Sequence, residues 1–305
     1  MKTIVLTGAS GFIGHASIPP LLARGYEIHA ITSQKKIPET PGIHWHTFNL
    51  LDPVQVHDLI ELVHPSHLMH FAWYTVPDKY WTARENIPWV QASVQLISEF
   101  VHAGGQRVVT AGTCAEYDWT YGYCSEFLTP VKPSTLYGVS KNTLHQLLQE
   151  ILKGSDTISA WGRIFFLYGP NEHPSKLVSS IIRPLLQNEP APCSTGTQIR
   201  DYLFIEDAAE AFVQLLDSDV SGPVNIASGI PVAIHDIIEM IGEKTGRADL
   251  IQYGALPGLS TDAPFVVADN RRLVQEVGWQ QNYYLERGIE KTIDWWTKKH
   301  AGDEK

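Results

Sequence analysis

Thr3-Ile4-Val5-Leu6-Thr7-Gly8-Ala9-Ser10-Gly11-Phe12-Ile13-Gly14 is the stretch whose reading decides the fold. A short apolar run ends at Gly8, and an apolar pattern resumes at Phe12. That is a buried strand feeding a tight turn and then a helix. Glycines at 8, 11 and 14 let the chain turn sharply and bring bare backbone close to a pyrophosphate, whose charge is met by N–H groups at the helix start. A plain glycine-rich turn is the alternative. Position favours the dinucleotide reading, because the motif follows the first strand of a strand–helix alternation.

That alternation continues outward. The spacing predicts a first helix to Ala23, strands over Glu27–Thr32 and Trp45–Phe48, and a helix over Val54–Val63. A strand over His67–Phe71, a helix over Val90–His102 and a strand over Arg107–Ala111 follow. Such an order implies a parallel sheet with helices on both faces: an α/β, Rossmann-type, doubly wound fold. Pro19 and Pro20 conflict with the first helix, and a kink or a late start is expected there. A long helix should run from Tyr137 to about Lys153, then a strand over Ser159–Phe166. Beyond Tyr168 the chain is broken by Pro170, Pro174, Pro184, Pro190 and Pro192, the texture of specificity loops. Residues 1–166 are therefore assigned to the nucleotide-binding domain and 167–305 to a smaller substrate-binding domain, with some later segments returning to the first. A surface helix over Leu285–Lys299 packs through Ile289, Ile293 and Trp296.

The 305 residues carry a formal charge of -10, with 44% hydrophobic and 18% charged residues. This is an ordinary globular composition whose field repels nucleic acid and anionic membranes, so neither partner is expected. Cys114, Cys124 and Cys193 have no metal-type spacing and form no even disulfide set, so a reduced compartment and no metal are expected. The N-terminal apolar run is unlike a signal peptide, no apolar stretch reaches the roughly 20 residues of a membrane span, and the expected location is cytoplasmic.

Which dinucleotide binds depends on the end of the second strand, Ile31-Thr32-Ser33-Gln34-Lys35-Lys36. NAD enzymes usually place a carboxylate there for the ribose 2′-OH. Thr32, Ser33 and Lys35 instead suit a 2′-phosphate, so NADP(H) is preferred, with NAD(H) the alternative. Exposed lysines that merely solvate a loop are the competing explanation. Downstream, Tyr137-Gly138-Val139-Ser140-Lys141 sets a phenol and an ammonium one helical turn apart. A cation beside a phenol lowers its pKa from about 10 and lets it exchange a proton with a substrate alcohol or carbonyl. Thr113, near the carboxyl end of a strand, can donate to the same oxygen, although a turn-capping threonine would look the same.

With these motifs in place, the sequence resembles the extended short-chain dehydrogenase/reductase family, in its branch of nucleotide-sugar epimerases, dehydratases and 4-ketoreductases. The resemblance covers essentially the whole chain: Thr7–Gly14, His70-Phe71-Ala72, Thr113 to Tyr117, Tyr137–Lys141, Arg163-Ile164-Phe165 with Tyr168-Gly169-Pro170, and Arg200-Asp201-Tyr202 to Glu206-Asp207. It implies that Gly8, Ser10, Gly11, Phe12 and Ile13 hold the pyrophosphate, and that Asn49 and Leu50 meet the adenine. Phe71, Ala72 and Ile164 line the cofactor channel. Thr113, Tyr137 and Lys141 form the catalytic set, with Lys141 also on the nicotinamide ribose. Phe166 and Arg200 face the substrate, Arg200 on its diphosphate; a surface ion pair with Asp201 or Glu206 is the other reading of Arg200.

Departures from the family pattern narrow the reaction. Dehydratases follow the threonine with an Asp-Glu pair, which is Cys114-Ala115 here, so elimination is disfavoured. Glu116 falls one place late and is expected to face sugar or solvent. Fucose-synthase-like members use a cysteine and a histidine that align with Ala115 and Asn171, leaving Cys114 and His173 out of register. The epimerase asparagine is Phe166, and a second diphosphate arginine aligns with Leu259, with Arg271 or Arg272 as the candidate to compensate. The preferred expectation is reduction of a nucleotide-linked 4-keto sugar with Tyr137 as proton donor. An NAD-dependent 4-epimerase and a non-catalytic dinucleotide-binding protein are the alternatives. Trp73, Tyr74, Tyr80, Trp81 and Trp89 are read equally as a lid over the sugar or as core packing, and a homodimer through paired helices is expected from the family.

Overall fold

The computed structural model describes residues 2–33, 41–257 and 263–303. Its first half alternates as the sequence pattern requires: β1 (Thr3–Thr7), α1 (Phe12–Ala23), β2 (Glu27–Thr32), β3 (Ile43–Thr47), α2 (Pro53–Val63), β4 (His67–His70), α3 (Asn86–His102) and β5 (Arg107–Thr113). The second half holds β6 (Tyr123–Cys124), α4 (Leu136–Ile151), β7 (Ile158–Ile164), β8 (Phe166–Tyr168), α5 (Leu177–Leu186), β9 (Ala191–Pro192) and β10 (Ile199–Phe204). It continues with α6 (Ile205–Asp217), β11 (Gly222–Ile226), β12 (Pro231–Ala233), α7 (Ile234–Thr245), β13 (Ile251–Gln252), β14 (Phe265–Ala268) and α8 (Leu285–Asp303).

Seven parallel strands form the main sheet in the order β11-β7-β5-β4-β1-β2-β3. The chain reverses its direction of sheet growth between β1 and β4, which opens a ligand crevice at the carboxyl ends of those strands. Central strands are buried on both faces, so β4 and β5 are inaccessible along their whole length. One face packs on α1 and α6 through Ile18, Leu21, Phe212 and Leu216. The other packs on α2, α3 and α4 through Leu59, Phe100 and Leu144. A second core gathers α5, α7 and α8 around Ile181, Ile237, Ile289 and Trp296.

Several expectations are corrected. The first helix neither starts late nor is interrupted at Pro19 and Pro20: it begins at Phe12 and runs unbroken to Ala23. Burial of Gly14, Ser17, Ile18 and Leu21 outweighs the two lost donors, because most helix stability comes from packing of one face. Strand β5 extends two residues past Ala111, so Thr113 is its last residue. The single strand expected over Ser159–Phe166 is two, with β8 leaving the main sheet to pair with β10.

The segment that returns to the nucleotide-binding sheet is α6 with β11, and β11 is its outer strand. Arg107, buried at the start of β5, ties that return down: its Nη2 donates to Leu215 O at 2.6 Å and Val220 O at 2.7 Å. Burial pulls the pKa of this guanidinium down to about 10, so the charge is held there at a cost offset by the two carbonyls. Arg107→Met should lower stability by about 2 kcal/mol, read as an earlier urea midpoint with an unchanged slope. An unmoved midpoint would show that the α6–β11 return does not depend on this guanidinium.

Candidate active site

The glycine loop fits its proposed ligand for reasons that can be measured. Gly8 sits at φ +67°, and a Cβ there would come within 2.9 Å of Ala72 N. A Cβ at Gly14 would strike Gly8 O at 2.2 Å, so the helix and the loop can touch only if residue 14 is bare. Gly11 is the N-cap of α1 and offers no capping side chain, and no acidic residue occupies the first turn. The leading N–H groups of α1, with Phe12 and Ile13, are therefore left for an external anion. Thr7 braces the loop from below. Its Oγ1 accepts from Phe71 N and Ala72 N at 3.1 and 3.2 Å and lies 2.7 Å from His70 Nδ1. Ser93 Oγ donates to Trp89 O, so His70 carries its hydrogen on Nε2, facing Ser93, and accepts at Nδ1 from Thr7. Burial pushes the pKa of His70 down to about 3, so it stays neutral and structural.

The other residues assigned to the cofactor ring this crevice. Ser10 Oγ lies 3.1 Å from Thr32 Oγ1, joining the loop to the end of β2, with Ser33 exposed just beyond. Asn49 and Leu50 follow β3, Phe71 and Ala72 follow β4, and Ile164 ends β7. Lys35, with its neighbour Lys36, lies outside the described residues, as does Leu259.

Thr113 and Tyr137 meet at the end of β5. Gly138 allows it: a Cβ there would be 2.4 Å from Ala115 O, so only glycine lets α4 approach the turn after Thr113. Thr135 caps α4 by accepting from Gly138 N at 3.1 Å, which fixes the helix start one residue before Tyr137. Thr113 Oγ1 accepts from Ala115 N at 3.2 Å, and the Thr113 hydroxyl is near enough to the Tyr137 phenol to favour its ionised form. Tyr80 and Trp81 set their rings edge-on to Tyr137 at 4.9 and 5.8 Å, and Trp81 O accepts from Tyr137 N. Of the aromatic cluster, then, Tyr80 and Trp81 flank the phenol, while Trp73 and Trp89 pack against the core under α3. Beside them opens a cavity of about 530 Å³ lined by Trp81, Ala115, Trp119, Lys132, Thr135 and Phe265, among others.

The electrostatics differ from the expectation of a phenol acidified by its lysine. Lys141 is buried, donates to Ala111 O at 2.9 Å, and places its Nζ 3.8 Å from the centre of the Trp73 ring. It is not among the groups that act on the phenol. Burial raises the pKa of Tyr137, the Thr113 hydroxyl opposing it in part, so the phenol is neutral near pH 7. Burial also pulls Lys141 down to about 7, with Glu116 opposing.

Glu116 faces neither sugar nor solvent, contrary to expectation. It is fully buried, bonds Trp161 Nε1 at 2.9 Å and Arg163 Nε at 2.8 Å, and accepts from Thr113 N at 2.9 Å. With the Thr113 side chain it forms a reciprocal cap on the turn Cys114–Glu116. That signature, a threonine followed three places later by glutamate, was present in the sequence and could have been read. The roles of Trp73, Tyr80 and Trp81 had no comparable local signal.

Arg200 is buried on β10, with its guanidinium 5.4 Å from the centre of the Phe166 ring and close enough to Cys114 to oppose the burial that raises that thiol's pKa. The carboxylates suggested as its surface partners are occupied. Asp201 accepts from Ser228, Gly229 and Ala268, and Glu206 pairs with Lys291. Arg271 and Arg272 do not stand in for a second diphosphate arginine: Arg271 chelates Asp269, and Arg272 bonds Glu276 and the Pro223 and Ser221 carbonyls. His173 is exposed and bonded to Ser175 in its own loop.

Residues 4–227 match the model of the NAD dependent epimerase/dehydratase family, and the chain belongs to that family. It is 25% identical to UDP-glucuronic acid decarboxylase 1 of Xenopus tropicalis over 98% of this chain and 73% of that protein. To dTDP-4-dehydro-6-deoxyglucose reductase of Escherichia coli it is 24% identical over 95% and 96%. Among solved structures, MoeE5 in complex with UDP-glucuronic acid and NAD superposes with a TM-score of 0.83 at 26% identity, covering 98% of this chain and all of that one. The chain is thus an enzyme of a family that modifies nucleotide sugars with a nicotinamide cofactor, and its relatives span more than one reaction. Among the described residues no helix is long and apolar enough to cross a membrane.

Lys141 gives the site a titration signature. With its pKa depressed to about 7 from the usual 10.5, the folded protein binds fewer protons than the unfolded chain between those values, so its contribution to stability rises with pH. From pH 7 to 9 the stability of the cofactor-free protein relative to Lys141→Met should increase, and below pH 7 the difference should level off. Urea midpoints of both proteins across this range check it. A constant difference would show that Lys141 keeps its ordinary pKa.

Proposed function

We propose that the chain reduces the 4-keto group of a nucleotide-diphosphate sugar, with NADP(H) as the preferred cofactor. One observation carries the reading: a neutral phenol stands beside the Thr113 hydroxyl at the end of β5 without a free acid/base partner among the residues that follow Thr113. Cys114 is a buried thiol whose pKa is raised by burial, Ala115 has no titrating group, and Glu116 is held by Arg163 and Trp161. Elimination, and inversion by removal of a proton from carbon, both need such a partner; hydride transfer at a carbonyl needs a proton donor and an oxygen-binding hydroxyl.

The nicotinamide ring, when bound, supplies the hydride. Tyr137 delivers the proton to the substrate oxygen, and Thr113, its lone pair taken by Ala115 N, turns its own hydrogen toward that oxygen. Lys141 is placed to hold the ribose once it leaves the Ala111 carbonyl. Arg200 supplies positive charge for the diphosphate, and Tyr80 and Trp81 keep water from the phenol. The cofactor preference is supported by the end of β2, where Thr32 and Ser33 offer hydroxyls and Ile31–Ser33 include no carboxylate. Similarity to the Escherichia coli reductase also supports the reaction. The NAD in the MoeE5 complex favours the second reading, a redox-neutral 4-epimerase in which NAD is retained.

The test is to supply UDP-, GDP-, dTDP- and CDP-linked 4-keto-6-deoxyhexoses with NADPH and follow absorbance at the nicotinamide band. Equimolar oxidation of NADPH and loss of the keto sugar are expected. A product isomer formed with no net cofactor consumption would replace reduction by epimerisation. Tyr137→Phe should lower kcat by about 10²–10⁴-fold while leaving the cofactor dissociation constant unchanged. Ser33→Asp should reverse the ratio of kcat/KM for NADPH over NADH by more than about tenfold, through repulsion of the 2′-phosphate. A wild-type preference for NADH would overturn the cofactor assignment.

A further inference from the structure

Far from the crevice, the outer strands of the main sheet carry a cluster that reduction does not use. Glu27 and His29 alternate along β2, and His44 and His46 along β3, so all four point to one face. Parallel pairing sets His29 directly beside His44. Farther along the same face, Ile31 and Phe48 enter the core under α2 and α3. At the cluster that core has ended, and the side chains are 30% (Glu27), 15% (His29) and 57% (His44) exposed.

The atoms converge. Glu27 Oε1 lies 3.6 Å from His44 Nε2 and 3.9 Å from His29 Nε2, and one ligand atom from each of the three residues falls within 4.8 Å of the others. Four ligands about 2.0–2.1 Å from a tetrahedral ion stand about 3.3–3.4 Å apart, so the set closes with small rotations of the exposed His44. Each inner ligand is also held from behind. Thr3 Oγ1 donates to Glu27 Oε2 at 3.1 Å, and His46 Nε2 lies 2.9 Å from His29 Nδ1 with the two rings nearly parallel at 7°. Hydrogen-bonded carboxylates and imidazoles with the far nitrogen tied are the outer partners that ligand sets require.

An ordinary polar strand face or a set of histidine–carboxylate ion pairs is the competing account. The geometry goes beyond a simple pair: one carboxylate oxygen faces two imidazole nitrogens from different strands, and the inner ring is tied at its far nitrogen by His46. Two imidazole nitrogens and a carboxylate oxygen converging on one point are a donor set that suits a transition-metal cation.

We propose that Glu27 Oε1, His29 Nε2 and His44 Nε2 form a binding site for a divalent transition-metal ion of the Zn²⁺ class, with His46 and Thr3 as the hydrogen-bonding groups that orient the ligands. Two imidazoles and a carboxylate suit Zn²⁺ better than Ca²⁺ or Mg²⁺, which take oxygen ligands. Cysteine spacing had led to an expectation of no metal. This site uses no cysteine, and its ligands at 27, 29 and 44 meet only when β2 pairs with β3. A bound ion would clip the edge strand β3 to β2, the two strands that lead to Thr32, Ser33, Asn49 and Leu50.

Tag-free, full-length protein is dialysed against chelator and titrated with Zn²⁺ in competition with a chromophoric chelator. One ion per chain is expected, with a dissociation constant of micromolar or tighter and a rise in Tm on binding. His44→Gln should weaken binding by at least about 100-fold, and His46→Ala by about 10- to 100-fold. His44 is mostly exposed, and equal melting of metal-free wild type and His44→Gln confirms that the variant folds. Failure to bind Zn²⁺ at micromolar concentration would overturn the proposal, as would binding that His44→Gln leaves unchanged, since the ion would then lie elsewhere. Neither readout involves turnover, so it stands or falls apart from the proposed reduction.

Discussion

The active site depends on one buried carboxylate. Glu116 receives the main-chain N–H of Thr113, the indole of Trp161 and the guanidinium of Arg163, joining the end of β5, the strand β7 and the turn between them. Gly112 makes room for this, since a Cβ there would lie 2.1 Å from Trp161 Nε1. The several hydrogen bonds to Glu116 offset part of the cost of burying this ion pair, and the loss of one member leaves an uncompensated charge worth about 3–5 kcal/mol. Position 116 is therefore fixed by folding, and that rigidity sets the direction of the Thr113 hydroxyl. The same tie holds the Glu116 carboxylate between β5 and β7 and away from solvent. Structural demands on the segment Thr113–Tyr117 are met by Glu116 and the Thr113 cap.

A second constraint is dryness. Tyr80 and Trp81 wall the phenol and Trp73 covers the ammonium, so both ionisable groups of the pair have pKa values shifted toward their neutral forms. Sequence reasoning expected the lysine to acidify the tyrosine. In the structure Lys141 is turned to the Ala111 carbonyl instead, and the phenol remains an acid. A neutral phenol suits proton delivery to a developing alkoxide, the direction in which a reductase runs. Oxidation of an alcohol would require it to lose that proton first, against the desolvation that holds it.

Much of this was legible before any coordinates. The glycine loop, the strand–helix alternation and the Tyr137–Lys141 spacing carry strong local signals, because backbone approach and helical periodicity leave few residue choices. The expected elements formed with ends moved by a few residues, except that the strand over Ser159–Phe166 formed as two. What escaped was non-local. Glu116 looked misaligned because its partners, Trp161 and Arg163, lie some 45 residues further along the chain, at 45 and 47 residues' separation. Pro19 and Pro20 looked disruptive because propensity is local, whereas the burial of Ile18 and Leu21 that holds α1 together depends on α6. Arg271 and Arg272 looked available because sequence does not show that Asp269 and Glu276 already occupy them.

The same distinction explains why fold and family leave the reaction open. Glycines 8, 14 and 138 are dictated by atoms that would collide with a side chain, and such collisions are the same whatever sugar is bound. The residues that would choose between elimination, inversion and reduction are those that meet the substrate, and family membership does not dictate them. Cys114 and Ala115, just past the strand end at Thr113, are buried, Cys114 among Tyr117, Cys124 and Phe165, so an acid in either place would carry a desolvation cost. The lack of an acid there is set by packing as well as by chemistry. Under the proposed reduction the Tyr137–Thr113 pair would handle a single oxygen, a task that asks for no acid at 114 or 115.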